Sequence, residues 1–182
     1  MDGRFRPVLE KLGRVFFEED GRVHPDNSTE LQLPFARFFF PKARLLSLRL
    51  PPSPMAIEVG RALAEFLTTN RIAHVVVAST DLTHYGENYG FQPKGSGSEA
   101  LDWVRAVNDP AFIGAVESGD SGAILDSARQ NRNACSPGAV AALNEIAGAA
   151  GKRFKSLGDA TSAEMGLSDQ RNFVGYLGGL YA

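Results

Sequence analysis

The chain has 182 residues, of which 43% are hydrophobic and 22% charged, as is typical of one soluble globular domain large enough to bury a core. A formal net charge of -2 excludes a strongly basic surface for nucleic acid or an anionic membrane, and no apolar run reaches the ~20 residues of a membrane helix. The single cysteine, Cys135, cannot form a disulfide within the chain, and the sequence opens without a signal-peptide pattern. We therefore expect a protein of the reducing cytoplasm.

The first half of the sequence predicts three helices and two strands. The helices are indicated by apolar spacing and by proline positions in the segments 6–17, 33–43 and 51–70. The strands are predicted at 43–50, "ARLLSLRL", which alternates leucines, and at 73–79, "AHVVVAS". The uninterrupted apolar run at 73–79 is typical of a strand buried on both faces of a parallel sheet. The polar segment 18–30, which contains His24, is predicted to be a loop.

The second half predicts further helices and two closing strands. After a loop that runs to about Gly97, helices are expected at 98–108, 109–119 and 121–131, and another follows Cys135 and ends at Gly151. Strands are expected at 152–159 and 172–182. Because helices and strands alternate along the chain, the sequence predicts a three-layer α/β domain.

Proton-handling side chains follow the predicted strand at 73–79. Asp81 and His84 come directly after it, in "STDLTH". Functional groups gather at the carboxyl ends of strands in open α/β sheets, and a nearby carboxylate can orient an imidazole or set its charge. His84 is therefore a candidate general acid or base, with Asp81 behind it. The alternative is an Asp81 that caps a turn beside a surface histidine.

Cys135 precedes Ser136, the predicted cap of the last helix. Unpaired amides and the helix dipole favour an anion at this position, so a thiolate would be stabilised there. Cys135 is a candidate nucleophile, redox centre or soft metal ligand. The alternative is a small buried core residue.

Two further groups are candidates for binding residues. Asn27 and Glu30 lie in the polar cluster "DNSTE", where capping of a helical turn is the alternative role. Tyr85 and Tyr89 are candidates for the wall of a pocket, with core packing as the alternative.

Three motifs taken together resemble the Memo family, namely "STDLTHYGENYGF" at 79–91, "NACSPGAVAAL" at 133–143 and "DNSTELQLPF" at 26–35. That family includes the bacterial AmmeMemoRadiSam system protein B and is structurally related to the class III extradiol dioxygenases. The resemblance runs in order from about Val23 to Ala182. It implies a three-layer sandwich with a mostly parallel central sheet, and a single Memo-like domain over 1–182 that lacks the family's N-terminal strand.

The resemblance also implies a site in a pocket at one edge of the sheet. Asp81 and His84 match the family's Ser-Ser-Asp-x-x-His segment, and Cys135 matches a cysteine of the family's metal-ligand set. Asn27 stands where the family has a ligand histidine, and Glu30 matches a following glutamate. A first histidine, in a His-Ala-Gly-Tyr-like motif, has no counterpart. The implied cofactor is iron or another transition metal, held weakly or not at all, since asparagine substitutes poorly for imidazole.

Two functions follow as expectations. In the first, the protein is an oxidoreductase of dioxygenase-like type, in which Cys135 holds the metal and His84 shuttles protons. In the second, it is a non-catalytic relative that binds a small molecule or a peptide, or that forms a homo- or hetero-oligomer whose partner completes the sheet. A third alternative is a misplaced start codon or a truncated gene. The family name also implies association with a radical-SAM protein and a third component.

Overall fold

A computed structural model describes residues 3–13 and 26–182, which form a mixed helix–strand fold. The α-helices of these residues are α1 (Arg6–Lys11), α2 (Asn27–Glu30), α3 (Leu33–Phe39), α4 (Pro54–Thr69), α5 (Ser98–Trp103), α6 (Asp109–Ser118), α7 (Ser121–Asn131) and α8 (Pro137–Ala149). The strands are β1 (His84–Tyr85), β2 (Phe154–Thr161) and β3 (Phe173–Tyr181), and a π-helical turn, Val104–Asn108, joins α5 to α6. The predicted loop with His24, and the end of the first predicted helix at 14–17, lie outside the described residues.

The predicted helices of the second half, and the long helix α4, are confirmed. Proline occupies a first-turn position of α4 and of α8. Backbone N–H groups in the first turn have no partner within the helix, so proline, which lacks this group, costs the helix no hydrogen bond. The two helices lie in close contact at Gly60, where an added side-chain carbon would stand 2.7 Å from the carbonyl oxygen of Ala142. Leu63 and Leu67 bury the apolar stripe of α4 beside this contact.

The sheet has the order β1–β3–β2, and both pairs are antiparallel. Two backbone bonds extend the β1–β3 pair by one step, from Leu82 N–H to the Gly175 carbonyl and from Gly175 N–H to the Thr83 carbonyl. The two predicted closing strands are thus confirmed. The mostly parallel central sheet is not formed among the described residues, because each of their strand pairs is an antiparallel one.

The two strands predicted in the first half are absent from the described structure. Residues 43–50 keep the predicted alternation, since Leu46, Leu48 and Leu50 pack against the apolar cluster of α4, but no strand pairs with them. Residues 73–80 make no backbone–backbone hydrogen bond within the described part of the chain. The prediction that 73–79 is buried on both faces is wrong here, because Val75 is 63% and Val77 is 67% exposed. A strand needs a neighbour to pair with, and no described residue supplies one.

Among the described helices, none is both long enough and apolar enough to cross a membrane. Two apolar clusters lie between the sheet and the helices, and the segment that follows residue 80 enters both of them. Leu82 and Tyr85 are buried there, which fixes the backbone on which Asp81 and His84 stand.

Candidate functional site

The segment 81–84 is anchored in the core at its two middle residues, and Asp81 and His84 at its ends stay partly exposed. Leu82 and Thr83 are buried, and His84 pairs with Val174 of β3 in the antiparallel register. The His84 Nε2 atom lies 3.2 Å from the Asp81 Oδ2 atom, with both side chains partly exposed. The predicted pairing of Asp81 with His84 is therefore present in the structure.

Cys135 reaches the same place from the start of α8. Its amide donates to the Asp81 carbonyl, and the Asp81 amide donates to the Cys135 Sγ atom, each over 3.2 Å. The Thr80 hydroxyl lies 3.6 Å from the sulfur and accepts a bond from the Ser136 amide at 2.9 Å. Ser136 holds the N-cap position as predicted, although its side chain makes no capping bond. Cys135 is exposed rather than buried in the core.

Electrostatics couple the imidazole to the thiol. Asp81, and next Cys135, accept hydrogen bonds from the protonated ring and raise the pKa of His84 to about 9. Desolvation raises the pKa of the Cys135 thiol, but the bonds from His84, the Asp81 amide and Thr80 outweigh it and lower that pKa to about 7. At neutral pH the site therefore pairs an imidazolium with a thiol that is substantially ionised.

The three side chains converge on one point. One ligand atom each from Asp81, His84 and Cys135 lies within 4.8 Å of the others, and these three form a grouping that could hold a metal ion. The donor set is one carboxylate oxygen, one imidazole nitrogen and one sulfur, a combination that transition metals accept and that Mg²⁺ or Ca²⁺ does not favour. The residues present thus fit a transition metal in both spacing and chemistry.

A buried polar network ties the two halves of the site together. Asp109 Oδ1 accepts from the Thr83 amide at 3.1 Å and from the Thr83 hydroxyl at 2.5 Å. Asn108 donates from its side chain to Thr83 Oγ1 at 2.8 Å, and Asn133 donates to the Asn108 carbonyl at 2.8 Å. Thr83 is next to His84, and Asn133 is two residues before Cys135, so the end of the π-helical turn holds both segments.

This network was not predicted from the sequence. Burial, offset in part by the bonds from Thr83, raises the pKa of Asp109 to about 6. The signal in the sequence was the polar pair Asn108–Asp109 at the boundary between two predicted helices, where such side chains are ordinarily explained as exposed helix-end groups. A π-helical turn of this kind often accompanies a functional site.

Of the two tyrosines predicted to line a pocket, one lies beside the site and the other lies in the core. Tyr89 lies beside the site, with its ring centroid 5.0 Å from that of His84. Tyr85 is fully buried, stacks on Phe173 and donates its hydroxyl to the Gly95 carbonyl, so it belongs to the core. The predicted roles of Asn27 and Glu30 in binding stay predictions.

The segment around Asn27 forms a capped helical turn. Asp26 accepts from the Ser28 amide at 3.0 Å, and Glu30 accepts from the Asp26 amide at 3.1 Å. These two reciprocal bonds cap the start of the turn, and capping is the alternative role that the sequence indicated for this cluster. In the hydrogen bonds of the described residues, the turn is joined to Arg49 and Ser47 and not to the three-residue site.

A family model described as Memo-like protein matches residues 1–180. The chain belongs to the Memo-like protein family. The earlier resemblance, drawn from three short motifs, is thereby confirmed for nearly the whole chain.

Two curated relatives of this Memo-like chain are archaeal proteins. A MEMO1 family protein of Pyrococcus horikoshii is 27% identical over 150 residues, which cover 78% of this chain and 51% of the relative. A MEMO1 family protein of Aeropyrum pernix is 26% identical over 175 residues, covering 94% of this chain and 57% of the relative. The chain thus spans about half the length of the curated relatives that it matches.

Proposed function

We propose that the protein binds a transition metal through Asp81, His84 and Cys135 and that its chemistry is metal-dependent and of redox or dioxygenase-like type. The observation that carries the proposal is the approach of the three donor atoms to within 4.8 Å of one another. Iron is the metal expected from the family resemblance, and the donor set also suits copper or zinc. Such a metal, when bound, supplies redox or Lewis-acid chemistry.

Each of the three residues has a distinct role in this proposal. Cys135 provides a thiolate at the start of a helix, where the Asp81 amide and Thr80 already stabilise negative charge on sulfur. His84 provides a ring nitrogen and, when not a ligand, holds a proton that Asp81 orients. Tyr89 packs its ring beside the imidazole of His84 and helps to position it.

A cobalt titration tests the proposal without any assay of activity. Metal-free protein titrated with Co²⁺ should bind one ion and develop a sulfur-to-cobalt charge-transfer absorption, because a thiolate is among the ligands. Cys135→Ser should abolish that absorption, and His84→Gln and Asp81→Asn should weaken binding by ten-fold or more. His74→Gln is the matched control, since His74 is exposed and bonded to the Ile72 carbonyl. No binding of Co²⁺, Fe²⁺ or Zn²⁺ at millimolar concentration would overturn the proposal.

A non-catalytic relative is the second candidate, and one observation favours it. The side chains of Asp81 and His84 are 46% and 35% exposed, so the site is more open than most catalytic pockets. In this version the same cluster binds a small molecule or a peptide without turnover. A protein that binds metal but shows no oxygen consumption or thiol oxidation with any phenolic or thiol compound would favour this second candidate.

The proposal also covers the architecture of the sheet. We infer that the assembled protein is a three-layer sandwich related to the class III extradiol dioxygenases, in which 43–50 and 73–80 act as strands of a mostly parallel sheet. Their sequences have the required patterns, and the leucines of 43–50 already alternate toward the core. The cytoplasm is the proposed location, with Cys135 as a reduced thiol.

A further inference from the structure

Arg132 links the segment that leads into Cys135 to the loop that contains Tyr89. Its guanidinium donates from Nη1 to the Gly90 carbonyl at 3.0 Å and from Nη2 to the Tyr89 carbonyl at 3.2 Å. Its Cζ atom lies 4.8 Å from the centre of the Phe91 ring, which is a cation–π distance. One side chain, three positions before Cys135 in the sequence, therefore contacts three consecutive residues of that loop.

The backbone of Arg132 is left-handed, at the position that ends α7. Its φ is 52°, and its amide donates to the Ala128 carbonyl at 2.9 Å. Left-handed backbone is sterically unfavourable for residues with a Cβ atom, and glycine is the residue that most often ends a helix in this way. Termination of the helix therefore gives no reason for an arginine here. The bonds from its guanidinium to the loop give one.

The tyrosine loop, defined here as residues 86–91, is closed at its base and reaches the candidate site between its ends. The residues at its two ends exchange backbone hydrogen bonds of 2.7 and 3.2 Å. Tyr89 lies between them, and its ring centroid is 5.0 Å from that of His84. The base bonds fix where the loop begins and ends, and the bonds from Arg132 fix the backbone from which the Tyr89 ring projects.

We propose that Arg132 is a positioning residue of the candidate site, which holds the Tyr89 ring beside the imidazole of His84 and thereby limits the rotation of that imidazole. The terminal χ2 torsion of a histidine has broad minima, so a single contact does not set the plane of its ring. Asp81 contacts the Nε2 atom of His84, and the Tyr89 ring, inclined at 52° to the imidazole, packs beside it. The imidazole is thus held both at one nitrogen and along its ring.

The orientation of the imidazole matters because a metal ligand must present its nitrogen along one direction. Replacing a group that orients a ligand imidazole typically lowers metal affinity about 10- to 100-fold. This effect on metal affinity rests on the proposed function, whereas the contact of Tyr89 with His84 does not. The two are therefore tested by separate measurements.

Arg132→Gly separates positioning from stability. Glycine adopts left-handed backbone without steric cost, which offsets the lost contacts, so the variant should unfold within a few degrees of the wild type. In the metal-free protein at pH 5, where the His84 ring is protonated, its ring-proton NMR resonances should move in the direction in which Tyr89→Leu moves them. Arg132→Lys keeps a cation near Phe91 but loses the fork of two donors, so it should give an intermediate shift.

Arg129→Gln is the matched control. Arg129 is an exposed arginine of the same helix, and in the hydrogen bonds of the described residues it is joined to Asp126 at 2.7 Å and not to the tyrosine loop. This control should keep the wild-type resonances of His84. Unchanged His84 resonances in Arg132→Gly would overturn the proposal, as would equal changes in Arg129→Gln.

A cobalt titration of the same variants measures the link to metal binding. The affinity for Co²⁺ should fall about ten-fold in Arg132→Gly, while the sulfur-to-cobalt absorption should remain, because Cys135 is untouched. An unchanged affinity together with altered His84 resonances would overturn the effect on metal binding and leave the positioning role standing. If the wild type binds no Co²⁺, the proposed function fails, and the NMR comparison still decides the role of Arg132.

Discussion

Asp81 and Cys135 are joined by two hydrogen bonds in opposite directions, although 54 residues separate them in the chain. The Asp81 amide donates to the Cys135 sulfur, and the Cys135 amide donates to the Asp81 carbonyl. Backbone amides and a carbonyl therefore hold the thiol in place. Such groups do not change position when a side chain changes rotamer. The imidazole of His84 then completes a cluster whose ionisation can be measured.

Replacement of His84 should make Cys135 less reactive. His84 is the foremost group that lowers the pKa of the thiol to about 7, so in His84→Gln the pKa should rise to its usual value near 9.0 or above. Alkylation by iodoacetamide at pH 7 should then slow about 5- to 10-fold, because the loss of thiolate exceeds the gain in its intrinsic nucleophilicity. The rate should be measured from pH 5 to 10, with His74→Gln as the control. An unchanged midpoint in His84→Gln would contradict the coupling.

Replacement of Asp81 should lower the pKa of His84. Asp81 is the largest cause of the rise to about 9, so Asp81→Asn should move the ring toward its usual 6.5. Because folding raises this pKa, the imidazolium adds stability that is complete below pH 6.5 and is lost as the pH rises through 9. An NMR titration of the His84 ring protons gives the pKa of each protein. A His84 ring that titrates near 6.5 in the wild type would show that the pair does not form in solution.

Asp109 should make the protein more stable in mild acid. Burial raises its folded pKa to about 6 from the usual 3.8, so the folded state binds the proton more tightly than the unfolded state does. Stability should be greatest below pH 4 and should fall as the pH rises to 6, by roughly 2–3 kcal/mol in all. Asp109→Asn keeps the oxygen that accepts from Thr83 and should remove this dependence. Urea unfolding from pH 4 to 8 measures it, with the exposed Asp126→Asn as the control.

The close contact of α4 with α8 makes a prediction about packing. Gly60→Ala places a methyl group against the Ala142 backbone and should lower the free energy of unfolding by about 1–3 kcal/mol. Gly148→Ala is the matched control on α8, because nothing lies within 4 Å of its added carbon. That control should be stabilised by roughly 0.5–1 kcal/mol, as expected for alanine in a helix. Thermal unfolding of both variants decides the matter, and equal effects would show that the two helices are not in tight contact.

The sequence predicted what depends on local pattern and missed what depends on a neighbour. Proline and apolar spacing identified α4, α6 and α8, and the position of Cys135 before its helix predicted a stabilised thiolate. The segment 73–79 has the pattern of a buried strand, but pairing and burial are supplied by other segments, and the described residues provide neither. The contacts of Asp109 with Thr83 join residues 26 apart in sequence, which no local rule anticipates.

The sequence predicted the three central residues of the candidate site better than the residues around them. Asp81 with His84, and separately Cys135, were predicted from their local positions, and the motif resemblance then placed them in one site. The structure brings their ligand atoms together. For Tyr85 the sequence left open a pocket wall or core packing, because an aromatic ring beside a site residue can point to either face of a strand, and the structure buries it in the core. Asp26 and Glu30 make the capping bonds of the turn that begins at Asn27, which is the alternative role that the sequence allowed for this cluster.

X-ray absorption of the Zn²⁺-loaded protein at the zinc edge tests the central claim most directly. The account predicts one sulfur neighbour at about 2.3 Å, and nitrogen or oxygen neighbours at about 2.0–2.1 Å. In Cys135→Ser the sulfur should disappear while the lighter neighbours remain. A metal surrounded only by nitrogen and oxygen in the wild-type protein would contradict a centre built on Asp81, His84 and Cys135.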